Sequence, residues 1–249
     1  MAATTEMPMR IYAPGQFEAD TLPGGEYREL VIRMCKETGE MASNPEFLRN
    51  IKILADKVDL APTAADRVRM ASFYADEMRH GYIFESLLVE LGYDTTDPAN
   101  YSSIEALNLI DQITTWCDLA VFNAIMDRAG GVMLRDYTES SYGPLGRAGA
   151  WVARDERGHA NMGVTHLRWC LENLDDGFEQ ANESLKRWYP MALDFFGRSN
   201  SKRQWRYIEL GFRTKTNEQL RQEYTEEVNS VLEGLGLTIP DPMANRHFV

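Results

Sequence analysis

Histidine, cysteine and long apolar runs are all scarce in this chain of 249 residues. The three cysteines, Cys35, Cys117 and Cys170, are widely spaced and include no C-x-x-C pair, which argues against zinc, iron–sulfur and disulfide frameworks. We expect them to be buried, reduced thiols. No stretch of about 18 apolar residues occurs, and residues 1–16 lack the pattern of a secretory signal. We therefore expect a soluble, cytoplasmic protein without a membrane partner.

Basic side chains are fewer than acidic ones, because the chain has 26 Lys and Arg but 38 Asp and Glu, which gives a formal net charge of −12. An acidic surface repels phosphate backbones, so nucleic acid is not an expected partner. The hydrophobic fraction of 44% and the charged fraction of 26% are typical of a globular protein rather than a disordered one.

Alternation typical of strands is almost absent, whereas apolar residues recur every three or four positions. This periodicity predicts an all-α fold, a helical bundle with additional packed helices. We expect an N-terminal arm over 1–19 and one domain over 20–249. The predicted helices, separated at prolines and glycines such as Gly130-Gly131, cover 26–42, 46–59, 64–92, 103–130, 132–173, 177–196, 201–213 and 217–235.

Two of the four histidines lie in the same pattern, because residues 76–80 read Asp-Glu-Met-Arg-His and residues 155–159 read Asp-Glu-Arg-Gly-His. A glutamate and a histidine three positions apart share one face of a helix and can reach the same metal ion. One E-x-x-H motif is common by chance, but two on long predicted helices favour a dimetal carboxylate site. Such a site in a bundle also needs an acidic residue from each of two other helices.

Two acidic residues on apolar helical faces are candidates for these remaining positions. Glu37 lies on the apolar stripe of the first helix, and Asp118 lies among large apolar residues. A buried carboxylate without compensation costs several kcal/mol, and a metal would supply the compensation. Glu40 competes with Glu37, while Glu105 and Asp111 share the predicted helix of Asp118. The predicted ligand and catalytic set is Glu37, Glu77, His80, Asp118, Glu156 and His159, a donor set that suits iron or manganese.

The chain resembles the oxygenase subunit of bacterial phenylacetyl-CoA epoxidase, a di-iron monooxygenase of the ferritin-like superfamily, from about residue 27 to residue 243. Phe73 departs from that family, which has a lysine one turn before the first motif glutamate. The resemblance is carried by DEMRHG at 76–81, WCD at 116–118, SYGP at 141–144, RDERGH at 154–159, WYP at 188–190, TNEQLRQ at 216–222 and TIPDP at 238–242.

The resemblance implies two iron ions held by the residues matched to the six predicted ligands. It also implies a CoA thioester substrate, O2, an electron-transfer reductase, and a helical sister subunit; a homo-oligomer is an alternative assembly. Mn/Fe and Mn/Mn pairs share the same donors. Two other functions stay open, a metal oxidase of the ferritin or rubrerythrin type and a non-catalytic scaffold subunit of an oxygenase.

Overall fold

The computed structural model describes residues 7–38, 41–97 and 110–248. Within these ranges the chain is helical and forms no β-sheet, which confirms the all-α prediction. A 3₁₀ turn, Lys57–Leu60, follows the second helix, and a π-helical segment, Asn123–Asp127, follows the fourth. The α-helices are α1 (Glu26–Thr38), α2 (Pro45–Asp56), α3 (Ala64–Glu90), α4 (Trp116–Phe122), α5 (Arg128–Tyr137), α6 (Gly143–Asn173), α7 (Gly177–Asp194), α8 (Lys202–Glu209) and α9 (Asn217–Gly234).

The predicted helix break at Gly130-Gly131 is wrong. Helix α4, the π-helical segment and α5 follow one another without interruption and form a single rod over 116–137. A Cβ atom added at Gly130 would lie 3.4 Å from Oε2 of Glu156, and one at Gly131 would lie 3.5 Å from Cβ of Glu156. The glycines therefore allow close packing against α6, which outweighs the helix-propensity cost of about 1 kcal/mol per glycine.

The chain turns instead at residues 138–142, inside the predicted helix over 132–173. Ser141 donates its hydroxyl to the carbonyl of Leu210, and the Tyr142 amide donates to the hydroxyl of Ser140. The Tyr142 amide is thus satisfied by a side chain where a continuous helix would have bonded it internally, and the Ser141 hydroxyl holds the turn against the end of α8. Pro144 then lies in the first turn of α6, where a missing backbone N–H costs nothing.

Helix α6 is the centre of the bundle, with α3 packed on one side and the 116–137 rod on another. Glycines on α6 bring the backbones close together. A Cβ at Gly163 would lie 2.4 Å from the backbone nitrogen of Ala124, and one at Gly149 would lie 2.9 Å from the carbonyl oxygen of Leu134. The π-helical segment is thus pressed directly against the middle of α6.

The segment that precedes α1 is docked on the bundle over residues 7–20. The Ile11 amide donates to the Glu209 carbonyl at 2.8 Å, and the Phe17 amide donates to the Ser141 carbonyl at 2.9 Å. The domain division at residue 20 stays a prediction. All three cysteines are buried and none forms a disulfide, as expected. Among the described residues, no helix has the length and apolar character needed to cross a bilayer.

Candidate metal centre

The two E-x-x-H motifs face each other across the interface of α3 and α6. Nδ1 of His159 lies 3.1 Å from Oε1 of Glu77, and Nδ1 of His80 lies 3.3 Å from Oε1 of Glu156. The His80 and His159 ring centroids are 5.7 Å apart. The two helices run antiparallel, so each histidine meets the glutamate of the opposite motif. These four sequence-predicted residues are brought together.

A fifth residue, Asp127, completes the cluster from the end of the π-helical segment. The potential ligand atoms form two groups of three, and within each group all three atoms lie within 4.8 Å of one another. The first group comes from Glu77, His80 and Glu156, and the second comes from Asp127, Glu156 and His159. Glu156 belongs to both groups. Asp127 was not among the sequence-predicted ligands.

Several atoms in this cluster lack hydrogen-bond partners although they are buried. Oε1 of Glu77 and Nδ1 of His159 are only 3.1 Å apart, yet neither makes a hydrogen bond of acceptable geometry, and Oδ2 of Asp127 has no partner either. Buried polar atoms are nearly always satisfied in proteins. Lone pairs that converge in this way fit a cation placed between them. Carboxylate oxygen and imidazole nitrogen are donors that suit iron or manganese.

The electrostatics of the cluster also fit a cation. Burial and the nearby charge of Glu77 raise the pKa of Glu156, while burial and the charge of Glu156 raise the pKa of Asp127 well above its usual value. Burial opposes protonation of His159, but its contact with Glu77 and the charge of Asp127 outweigh burial and raise its pKa to about 10. Without a metal the cluster therefore retains protons that a dication can displace.

Glu37 lies away from this cluster, contrary to the expectation from the apolar stripe of α1. Its side chain is 44% exposed and pairs with Arg33 at 2.7 Å and Arg203 at 2.9 Å. Tyr207 also donates its hydroxyl to Glu37. The glutamate thus turns toward α8 and is compensated by two guanidinium groups. Its sequence competitor, Glu40, lies outside the described residues.

Asp118 is buried as predicted, but its partners are protein groups. Oδ2 accepts a hydrogen bond from Arg187 at 2.5 Å, and Oδ1 accepts one from Nε1 of Trp188 at 2.8 Å. Asp118 precedes Asp127 by nine residues on the same rod, a separation of about 14 Å along a helix. Helix α7 therefore supplies the compensation that the sequence interpretation assigned to a metal. The other candidate on the predicted helix, Asp111, is exposed and pairs with Arg49, and Glu105 lies outside the described residues.

The signal that could have revealed Asp127 is its spacing from Gly130 and Gly131. Residues three and four positions apart share a helix face, so the two glycines and Asp127 face α6 together. Two adjacent glycines are instead a usual signal for a helix break, which hides the face that they share with Asp127.

The aspartates that precede each motif glutamate form an outer layer. Oδ2 of Asp76 lies 3.3 Å from Nε2 of His159, and Oδ2 of Asp155 lies 3.4 Å from Nε2 of His80. Nδ1 of each ring faces the carboxylate cluster, so a metal bound at Nδ1 would leave the proton on Nε2, where it can be donated to the aspartate. This second contact fixes the tautomer and orientation of each ring.

Phe73 covers one side of the cluster. Its ring meets the ring of His159 edge to face, with centroids 4.7 Å apart, and it is itself buried. An aromatic ring in this position keeps water from the imidazole and adds an apolar wall to the site.

Comparison with known proteins identifies the family of the chain. The family model described as "Phenylacetic acid catabolic protein" matches residues 49–247, which include α3, the 116–137 rod and α6. The chain belongs to this family. Its helical bundle is accordingly of the ferritin-like, all-α type.

A curated relative is one of the subunits of 1,2-phenylacetyl-CoA epoxidase from Escherichia coli (strain K12). The two proteins are 26% identical over 192 residues, which cover 73% of this chain and 61% of the relative. The alignment thus leaves more than a third of the relative without a counterpart here.

Proposed function

We propose that this chain is the oxygenase subunit of a di-iron monooxygenase that epoxidises or hydroxylates an organic substrate, with an aromatic acyl-CoA thioester as the substrate class. The observation that carries the proposal is the buried cluster of three carboxylates and two imidazoles contributed by α3, α6 and the π-helical segment. Membership of the family and the similarity to a component of an epoxidase support both the substrate class and a partner in the form of a helical sister subunit.

In this proposal Glu77, His80, Asp127, Glu156 and His159 would hold the metal, and Glu156 belongs to both groups of potential ligand atoms. Two iron ions bound there, reduced by a separate electron-transfer protein, would supply the electrons for O2 activation, with one oxygen atom going to the substrate and the other to water. The remaining contribution comes from the chain.

The chain's own residues hold, orient and shield the site. Asp76 and Asp155 accept Nε2–H from the two histidines and keep each Nδ1 directed inward. Burial, together with repulsion between the neighbouring carboxylates, raises the pKa values of Asp127 and Glu156, and a cation between them would relieve both effects. Phe73 excludes water from the side of His159.

The first test is metal content, measured by mass spectrometry on the wild type and on Glu156→Ala purified from cells supplemented with iron and manganese. About two metals per wild-type chain, with a clear loss in the variant, is the expected result. The reduced, loaded protein, when combined with its reductase and its sister subunit, should then incorporate one atom of labelled O2 into aryl-acyl-CoA thioesters.

Two other outcomes discriminate the alternatives. A folded wild type that takes up no metal under either supplement would favour a scaffold subunit. A loaded protein that oxidises Fe(II) or reduces peroxide but transfers no labelled oxygen would instead favour a ferritin or rubrerythrin type of oxidase.

A further inference from the structure

One guanidinium group links both halves of the outer layer. Nη2 of Arg79 donates to Oδ1 of Asp76 at 2.5 Å and to Oδ2 of Asp155 at 3.1 Å. These two aspartates belong to different helices and accept hydrogen bonds from different histidines. Arg79 is therefore in contact, through one intermediate carboxylate on each side, with both imidazoles of the candidate metal centre.

The position of Arg79 is held from several directions. Its guanidinium carbon lies 5.6 Å from the centroid of the Trp151 ring, on the α6 side of the interface. Because a guanidinium group is not deprotonated in proteins, the charge of Arg79 is permanent. Arg154 offers a contrast, because its side chain is 67% exposed and the one ion pair that it forms among the described residues is with Asp155, at 3.7 Å from Nε.

We propose that Arg79 is a positioning residue that tunes the reduction potential of the metal centre through both histidines at once. The inference rests on the proposed function. A carboxylate that accepts Nε2–H makes the imidazole a stronger donor at Nδ1, which stabilises the oxidised metal. A cation shared by the two carboxylates withdraws negative charge from both and opposes that effect.

Removing the charge of Arg79 or of its ion-pair partner Asp155 should shift the midpoint potential in opposite directions. Arg79→Gln removes the cation, strengthens both aspartates as acceptors and lowers the midpoint potential. Asp155→Asn removes one carboxylate charge, weakens the acceptor for His80 and raises the midpoint potential. If the pair were purely structural, both variants would lose similar stability and their midpoint potentials would not shift in opposite directions.

The test is a spectroelectrochemical titration of iron-loaded wild type, Arg79→Gln, Arg79→Lys and Asp155→Asn, with Arg154→Gln as the matched control. Metal per chain and the thermal midpoint are measured on each. We expect a potential below wild type for Arg79→Gln, an intermediate value for Arg79→Lys and a value above wild type for Asp155→Asn. For Arg154→Gln we expect a decrease smaller than that of Arg79→Gln, because Arg154 is more exposed and pairs with one of the two aspartates.

Equal potentials in wild type and Arg79→Gln, with both proteins fully loaded, would overturn the inference and leave the proposed function intact. If Arg79→Gln does not load, Arg79→Lys and Asp155→Asn decide, and wild-type potentials in both would overturn it. A wild-type chain without a redox-active metal pair would contradict the proposed function itself, and with it this inference.

Discussion

Replacing Asp118 and Asp127 separately by asparagine distinguishes a structural carboxylate from a candidate ligand on the same helical rod. Asp118→Asn removes the charge that Arg187 pairs with at 2.5 Å. Breaking a fully buried pair costs about 3–5 kcal/mol and an exposed one at most about 1 kcal/mol. Because the Arg187 side chain is 31% exposed, we expect a loss of about 2 kcal/mol, or a thermal midpoint lower by about 4–8 °C for a chain of this size.

Asp127→Asn should behave in the opposite way. Oδ2 of Asp127 has no hydrogen-bond partner, and burial together with the charge of Glu156 raises its pKa. Removing this carboxylate relieves repulsion in the metal-free protein, so its thermal midpoint should stay unchanged or rise. The same variant should fail to hold the full metal complement, whereas Asp118→Asn should hold as much metal as the wild type.

The assay combines thermal unfolding of the chelated proteins, followed by circular dichroism, with mass-spectrometric metal content after loading. Wild type treated identically is the reference for both measurements. Loss of metal in Asp118→Asn with an unchanged thermal midpoint, or full metal content in Asp127→Asn, would refute the assignment of the two carboxylates.

Three further predictions concern packing, charge and protons. Gly163→Ala places a Cβ 2.4 Å from the backbone nitrogen of Ala124 and should lower both the thermal midpoint and the metal content. Gly158→Ala, with open space around it, should raise the thermal midpoint slightly. Equal thermal midpoints in the two variants would contradict the packing argument. Glu37→Gln should keep two metals per chain, because its partners are exposed guanidinium groups, and loss of metal would restore it as a ligand. Burial lowers the pKa of His159, but Glu77 and Asp127 outweigh burial and raise this pKa to about 10, so His159 is protonated at neutral pH without metal. Metal binding should therefore release a proton and become tighter as pH rises. Calorimetry in two buffers of different ionisation enthalpy measures this proton release, and binding without proton release would count against His159 as a ligand.

The parts of the site that the sequence predicts are those set by local geometry. Glutamate and histidine at i and i+3 share a helix face wherever a helix forms, so Glu77 with His80 and Glu156 with His159 could be paired from spacing alone. The only tertiary assumption needed was that α3 and α6 face each other. The repeated motif made that assumption reasonable.

Asp118 and Glu37, which the sequence assigns to the metal site, have partners far along the chain. Asp118 is compensated by Arg187, 69 positions later, and Glu37 by Arg203, 166 positions later. A carboxylate on an apolar face reveals that compensation is needed, but not whether a guanidinium or a metal provides it. Only the packing of α7 and α8 against the earlier helices makes that distinction.

The short side chain of Asp127 requires close packing between the rod and α6, and the glycines at this contact allow it. An aspartate is one methylene shorter than the glutamates of α3 and α6, so the helix that carries it must lie closer to the cluster. Gly130 and Gly131 on the rod, and Gly163 on α6, each leave a place where a Cβ would meet the opposite helix. Side chains at these positions would hold the rod away from α6 and withdraw the short carboxylate from His159 and Glu156. The residues that appeared to interrupt a helix thus allow that helix to bring a carboxylate to the site.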